Sequence, residues 1–343
     1  MSADVFERMV YSFMKPMWHG ITEPSIIDMS ARDIIYEKFD GAFEIFTRPI
    51  TVLLNGEHQE TGDFAIVRSA SPTTDDFGER VFGYCTKRYT PLQPIDVADS
   101  FDRNVAKPAE TMAFLNHGKE MFISWKMPSF DVVVGDAVEM YGIVRTGFDT
   151  LKGARLFTSV YRPVCANTIN LAQNWAESNS DGKGKGNVWR GKGINKNLLR
   201  DLGYWMAFVQ NRAVQEGEQL KNLFGLLAKE PIVYEQQVKD LLVEAYPNKD
   251  DVSDFYPDEL REKKAESIDA FNVTQTKYRD GILRLFEGEG TDITPDLWGL
   301  MNATSEYFCH YLPSKRPIAS SVMFGGRARS INRMALVLKD CVQ

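Results

Sequence analysis

From residue 42 to residue 165 the chain repeats a two-residue rhythm of apolar and polar positions. The segments AFEIFTRPITVLL (42–54), DFAIVRSA (63–70), RVFGYCTKRYTPL (80–92), KEMFISWKMP (119–128), AVEMYGIVRTGFD (137–149) and ARLFTSVYRPVC (154–165) carry aromatic and β-branched residues at alternate positions, between Gly, Pro, Asn and Asp breaks. Alternation lines up one face of a strand, so these segments predict a sheet. One helix interrupts them. In PIDVADSFDRNVAK (94–107) the residues Ile95, Val97, Ala98 and Phe101 form a single stripe, with Asp96 suited to cap the helix start. Gly118, in the polar break LNHGKE (115–120), predicts a hairpin turn. ANTINLAQNWAE (166–177) has the spacing of a short helix.

After Ile194 the period changes to three and four. Helices are predicted over 198–228, 233–246, 258–287, 295–312 and 329–340, with Pro231 ending the first, Pro247 following the second and Pro295 near the first turn of the fourth. The chain therefore reads as an α+β protein with a strand-rich N-terminal half, an inserted helix and a helical C-terminal half. The expected divisions are an N-terminal arm (1–40), a strand-rich α+β domain (41–180), a basic Gly/Lys-rich junction (181–193) and a helical domain (194–343). Whether the two halves share one core is left open.

Composition narrows the class. With 343 residues, 43% apolar and 12% aromatic, the chain can bury a substantial core without disulfides. A net charge of −7 argues against coating duplex DNA by overall positive charge. Cys85, Cys165, Cys309 and Cys341 stand apart with no CxxC pair, which suits buried thiols in a reducing compartment rather than a zinc or redox site. The first residues resemble neither a secretory signal nor an anchor, and no run approaches the ~20 apolar residues of a membrane span. A soluble cytoplasmic protein is expected, with no membrane partner.

The junction DGKGKGNVWRGKG is basic inside an acidic protein. GNVWRGKG fits part of a phosphate-binding loop, but Gly193 stands where a Ser or Thr would hold magnesium, and no strand precedes it. A nucleoside-triphosphate site is therefore not expected. An anion-binding loop fits better, with Lys183, Lys185, Arg190 and Lys192 for phosphate oxygens and Trp189 for stacking on a base; a flexible linker is the plain alternative. Further basic and aromatic candidates are Lys87, Arg88 and Tyr89 in one predicted strand, Arg155, Tyr161 and Arg162 in another, and Arg327 and Arg329 in a C-terminal stretch without acidic residues. The four histidines are scattered, no nucleophile elbow occurs, and Cys309-His310 are neighbours that point about 100° apart on a helix. Neither a catalytic site, a metal site nor a cofactor is expected.

Three segments together resemble a known family: YTPLQPIDVADSFD (89–102), RPVCANTINLA (162–172) and DLWGLMNATSEYFCHY (296–311). They are similar in order and spacing to the phage- and plasmid-encoded family called domain of unknown function 932, over roughly residues 40 to 340. The resemblance implies an accessory role in phage or plasmid biology inside a bacterial host and carries over no catalytic residue. In outline the chain is also similar to the single-strand annealing proteins that phages use in recombination, which act without ATP as oligomers. The expectation is a non-enzymatic protein that binds single-stranded nucleic acid and forms a homo-oligomer. The alternative is a protein-interaction or host-modulating module with a phage or host protein partner.

Overall fold

The computed structural model describes residues 5–12, 25, 27–70, 78–150, 154–162, 167–169, 189–190, 196–250, 258–312 and 326–342. The strand-rich half forms two antiparallel sheets. In the larger, β1 (Val5–Ser12), β5 (Thr111–Leu115), β6 (Glu120–Lys126), β8 (Ala137–Gly147) and β9 (Arg155–Arg162) lie side by side in that order. Beyond β9 two short strands share its far edge, β10 (Asn167–Ile169) and β11 (Trp189–Arg190), while β7 (Phe130–Asp131) pairs with β8. The smaller sheet is the meander β2 (Ile45–Leu54), β3 (Glu57–Arg68) and β4 (Arg80–Cys85). Its β2–β3 ribbon turns at Asn55-Gly56, both with positive φ (54° and 84°), the backbone that a tight hairpin of right-handed twist requires.

Among the described residues six strands were foreseen and five were not: β1, β5 and the short β7, β10 and β11. β1 lies in the expected N-terminal arm, and β5 is a short, wholly buried strand in which both faces are covered, so no alternation shows. The predicted turn at Gly118 joins β5 to β6 through Asn116–Gly118. The predicted helix over 166–177 is corrected where it is described, since residues 167–169 are strand β10. The open edge of β9 offers backbone partners there (Thr168 opposite Tyr161, Ile169 opposite Val160), and sheet pairing overrides local spacing. β4 pairs Arg80–Cys85 with Arg68–Phe64 of β3 and ends at Cys85, where the chain leaves β3 through a turn closed by Tyr89 N–H to Thr86 C=O at 3.0 Å. At the end of the N-terminal arm, α1 (Ala31–Asp33) and the π-turn after it (Ile34–Lys38) bury Ala31, Ile34, Ile35 and then Phe39.

Helix α2 (Pro94–Asn104) carries the foreseen stripe, with Val97, Ala98 and Phe101 buried. Its cap differs. Gln93 is the N-cap and Pro94 opens the helix with φ already suited to it, so Asp96 lies inside the first turn, where its charge complements the helix dipole. Across the sheet from β5 to β9, Met112, Phe114, Met121, Ile123, Trp125, Met140, Val144 and Leu156 turn toward the main core. Gly142 stands opposite Trp125 in register, and a Cβ on it would meet the indole Cζ2 at 2.1 Å, so the sheet is closed there around a residue with no side chain.

The helical half consists of α3 (Lys196–Leu227), α4 (Glu235–Ala245), α5 (Asp258–Arg284), α6 (Leu297–Glu306) and α7 (Gly326–Asp340). α3 packs against α2 and the sheet, so Leu202, Met206 and Val209 join the same core as Phe101 and Met140. Every residue of α6 is buried. Its Trp298 stacks on Phe224 of α3 with ring centroids 4.6 Å apart, and Phe224 in turn meets Phe130 of β7 at 6.1 Å. The indole Nε1–H of Trp298 donates to Asp136 Oδ2 at 2.8 Å, in the turn between β7 and β8. The two halves therefore share one core.

Candidate nucleic-acid interface

Register assembles an unforeseen row of like charges. Arg145 on β8 stands opposite Arg155 on β9, and Arg155 stands opposite Arg190 on β11, so three arginines occupy matched positions on three adjacent strands. Arg145 is nearly buried and its Nη2 pairs with Glu120, which is 1% exposed; Asn116 donates to the same carboxylate. Burial pushes the Arg145 guanidinium below its ordinary value, Glu120 pulls it back up, and Arg155 pushes it down again. Arg155, one strand further out, is half-buried. Arginines directly opposite one another across strands repel, and an anion seated between them relieves that repulsion.

The turn after β4 is brought toward the same end of the sheet. Gly83 lies against the backbone of Asp149, the Thr150 hydroxyl donates to the Tyr84 carbonyl at 3.5 Å, and Asp149 acts electrostatically on both Arg145 and Tyr89. Lys87 and Arg88 are exposed there, though in a turn closed by Tyr89 N–H to Thr86 C=O (3.0 Å) rather than in the strand that alternation suggested. Tyr89 is half-buried, its ring packs on the core, and burial pushes its hydroxyl well up. Asp149 is followed by Thr150 at φ 63°, an uncommon conformation for a β-branched residue, which bends the chain from β8 toward β9.

The other candidates separate. Tyr161 and Arg162 lie at the far end of β9, where Tyr161 stands opposite Glu139 and Thr168, and Arg162 opposite Asn167. At ~3.3 Å per residue that is about 23 Å along the strand from Arg155. Arg327 is 5% exposed; its two terminal nitrogens donate to the carbonyls of Phe308 (2.8 Å) and Leu312 (2.6 Å), which closes the end of the helix turn before it. It is thus a buried structural group rather than a surface contact, whereas Arg329, two residues on, is exposed. Lys183, Lys185 and Lys192 lie outside the described residues.

Sequence reasoning missed Arg145 and Glu120. The signal was present in period two, since Glu139, Tyr141, Ile143 and Arg145 fall on one face of β8, but only register shows which residue each one meets. Of the cysteines expected to be buried, Cys309 is buried, Cys85 half-buried and Cys341, just past α7, exposed, while Cys165 lies outside the described residues. His310 is exposed, and Glu306 accepts from the Thr291 N–H (2.9 Å) and hydroxyl (3.1 Å) of the preceding turn. Among the described residues no group of three or more His, Cys, Asp or Glu side chains is placed to hold a metal ion, and no helix is long and apolar enough to cross a membrane.

Residues 81–181 match the family model described as Domain of unknown function (DUF932). The match runs from β4 through α2 and the strands β5 to β10 to the start of the basic junction, and so contains Arg145, Arg155 and two of the three segments that carried the family resemblance. The third, within α6 and the turn after it, lies outside the DUF932 match. No curated protein and no solved structure matches the chain.

Proposed function

We propose that the chain binds single-stranded nucleic acid along β9 and β11 of the main sheet and performs no chemistry on it, serving as an ATP-independent annealing or protecting protein in phage or plasmid recombination or replication. The observation that supports this reading is the row Arg145, Arg155 and Arg190, reached by the exposed Lys87-Arg88 turn. Glu120 takes up one of the three arginine charges, and a phosphate backbone would answer the outer two. Trp189 and Tyr161 supply rings for base stacking, and Arg162 continues the track at the other end of β9. Lys183, Lys185 and Lys192 add charge from the junction, and Arg329 adds to it from α7. Action in the cytoplasm of a bacterial host, as a homo-oligomer, completes the proposal.

Fluorescence anisotropy with a labelled single-stranded oligonucleotide at two salt concentrations tests it. Replacing Arg155 and Arg190 with Ala should weaken binding tenfold or more and lower the salt slope by about 1.4, two single-strand phosphate contacts at ~0.7 each. Absence of binding by the unaltered chain at low salt overturns the reading.

One observation favours a protein-binding alternative. The distal half of the β2–β3 ribbon is exposed on both faces, and Val52, Leu53 and Leu54 lie along the β2 edge with no charge between Pro49 and Leu54. An uncharged apolar edge of this kind is a ready template for a strand of another chain. A stoichiometric partner that is lost on Leu53→Lys, together with absent oligonucleotide binding, is the outcome this alternative requires.

A further inference from the structure

The distal part of the β2–β3 ribbon has two open edges. Among the described residues β4 pairs only with the inner end of β3, from Phe64 to Arg68, and nothing pairs with the outer side of β2. Residues 51–54 and 57–63 are therefore two strands of a ribbon exposed on both faces. A two-stranded ribbon standing alone in water is marginally stable until further strands or a packed face support it.

The two edges are built differently. The β3 edge carries Glu57, Glu60 and Asp63, and Gly62 at φ 83° breaks its extended backbone; charge and irregularity of this kind keep an edge from pairing. The β2 edge carries Thr51, Val52, Leu53 and Leu54 without a charge, and Val52, Leu53 and Leu54 are 43%, 64% and 49% exposed. Register fixes which backbone groups are open. Leu54 and Glu57 flank the two-residue turn as a hydrogen-bonded pair, and Val52 and Gln59 form the next such pair, so the N–H and C=O groups of Thr51 and Leu53 point away from β3. A second copy of the strand, antiparallel about a two-fold axis at Val52, sets Thr51 opposite Leu53 twice and Val52 opposite itself. Every one of those open backbone groups then has a partner.

We propose that the chain self-associates through this edge: β2 of one copy pairs antiparallel with β2 of a second about a two-fold axis at Val52, giving a continuous four-stranded ribbon. Self-association here rests on the homo-oligomer of the function proposed above and gives it a surface. A second copy suits this edge better than a foreign strand, because the edge has no charge by which to select one and two such edges meet without repulsion. The two-fold pairing closes on itself, and the acidic β3 edges then lie outermost, where they keep a third copy from adding.

Sedimentation velocity on the full chain tests the pairing. A seam this short belongs with the small, weak interfaces, so the series runs from about 1 to about 100 μM. The unaltered chain should pass from monomer to dimer within it. Val52→Lys and Val52→Glu, at an exposed position, should each raise the dissociation constant about tenfold or more by setting like charges opposite each other. An equal mixture of the two variants should recover the dimer, with Lys facing Glu across the axis. The pairing is overturned by a chain that stays monomeric with and without a single-stranded oligonucleotide, by single variants that dimerise as the unaltered chain does, or by a mixture that does not recover. A foreign protein holding this edge in place of a second copy overturns it too. Oligonucleotide anisotropy on the same samples separates the two proposals: binding by a chain that never dimerises refutes the pairing alone, and dimerisation without binding refutes the nucleic-acid reading alone.

Discussion

Replacing Trp298 with Phe tests whether the two halves are one cooperative unit. The indole is 1% exposed and lies between Phe224 and the β7–β8 turn, where Nε1–H meets an Asp136 carboxylate that is itself 8% exposed. Phe keeps a ring against Phe224 but removes the donor, and losing a buried bond to a carboxylate costs about 1.5–3 kcal/mol. The volume lost with the second ring adds about 1 kcal/mol for the incompletely collapsed space. A total near 3 kcal/mol is expected, a large share of the stability of an ordinary domain. Asp136→Asn, which keeps an oxygen to accept from the indole, should cost less. The assay is urea unfolding followed by far-UV circular dichroism and, region by region, by hydrogen exchange in β6 and α6. Because Trp125, Phe224 and Trp298 belong to one core, strand and helix probes should move together and by the same amount. A loss under about 0.5 kcal/mol, or an α6 transition that shifts while β6 stays in place, refutes the shared core.

Other outcomes follow from the same structure. Gly142→Ala should destabilise by about 1–3 kcal/mol or more in chemical unfolding, because a Cβ 2.1 Å from the Trp125 ring forces the indole off Phe101, which it meets edge-on at 5.7 Å. Arg327→Ala should cost about 3 kcal/mol in thermal unfolding through two lost carbonyl bonds. Arg329→Ala, at an exposed position, should stay within about 0.5 kcal/mol and act, if at all, on oligonucleotide affinity.

Period alone determined a good deal. Two-residue alternation located β2, β3, β4, β6, β8 and β9, and the change to a period near 3.6 after residue 194 located α3 through α7, because each pattern records which side of an element meets the core. The segment 94–107 became α2 for the same reason, and Asn55-Gly56 and Gly118 mark turns that backbone sterics would choose in any context. Where a position depends on a distant neighbour, the chain carried little sign of it. β5 is covered on both faces and shows no alternation; β10 is a strand only because β9 leaves an edge open; β4 ends where the chain turns away from β3. The basic residues show the same division. Their identities could be read directly, but only register sets Arg145, Arg155 and Arg190 in one row, and only packing takes Arg327 inside. Asp136 and Trp298 are 162 residues apart. Their hydrogen bond, which helps make two halves into one core, is a product of tertiary packing that no local pattern encodes, since the groups it joins come together only after both halves have folded around them.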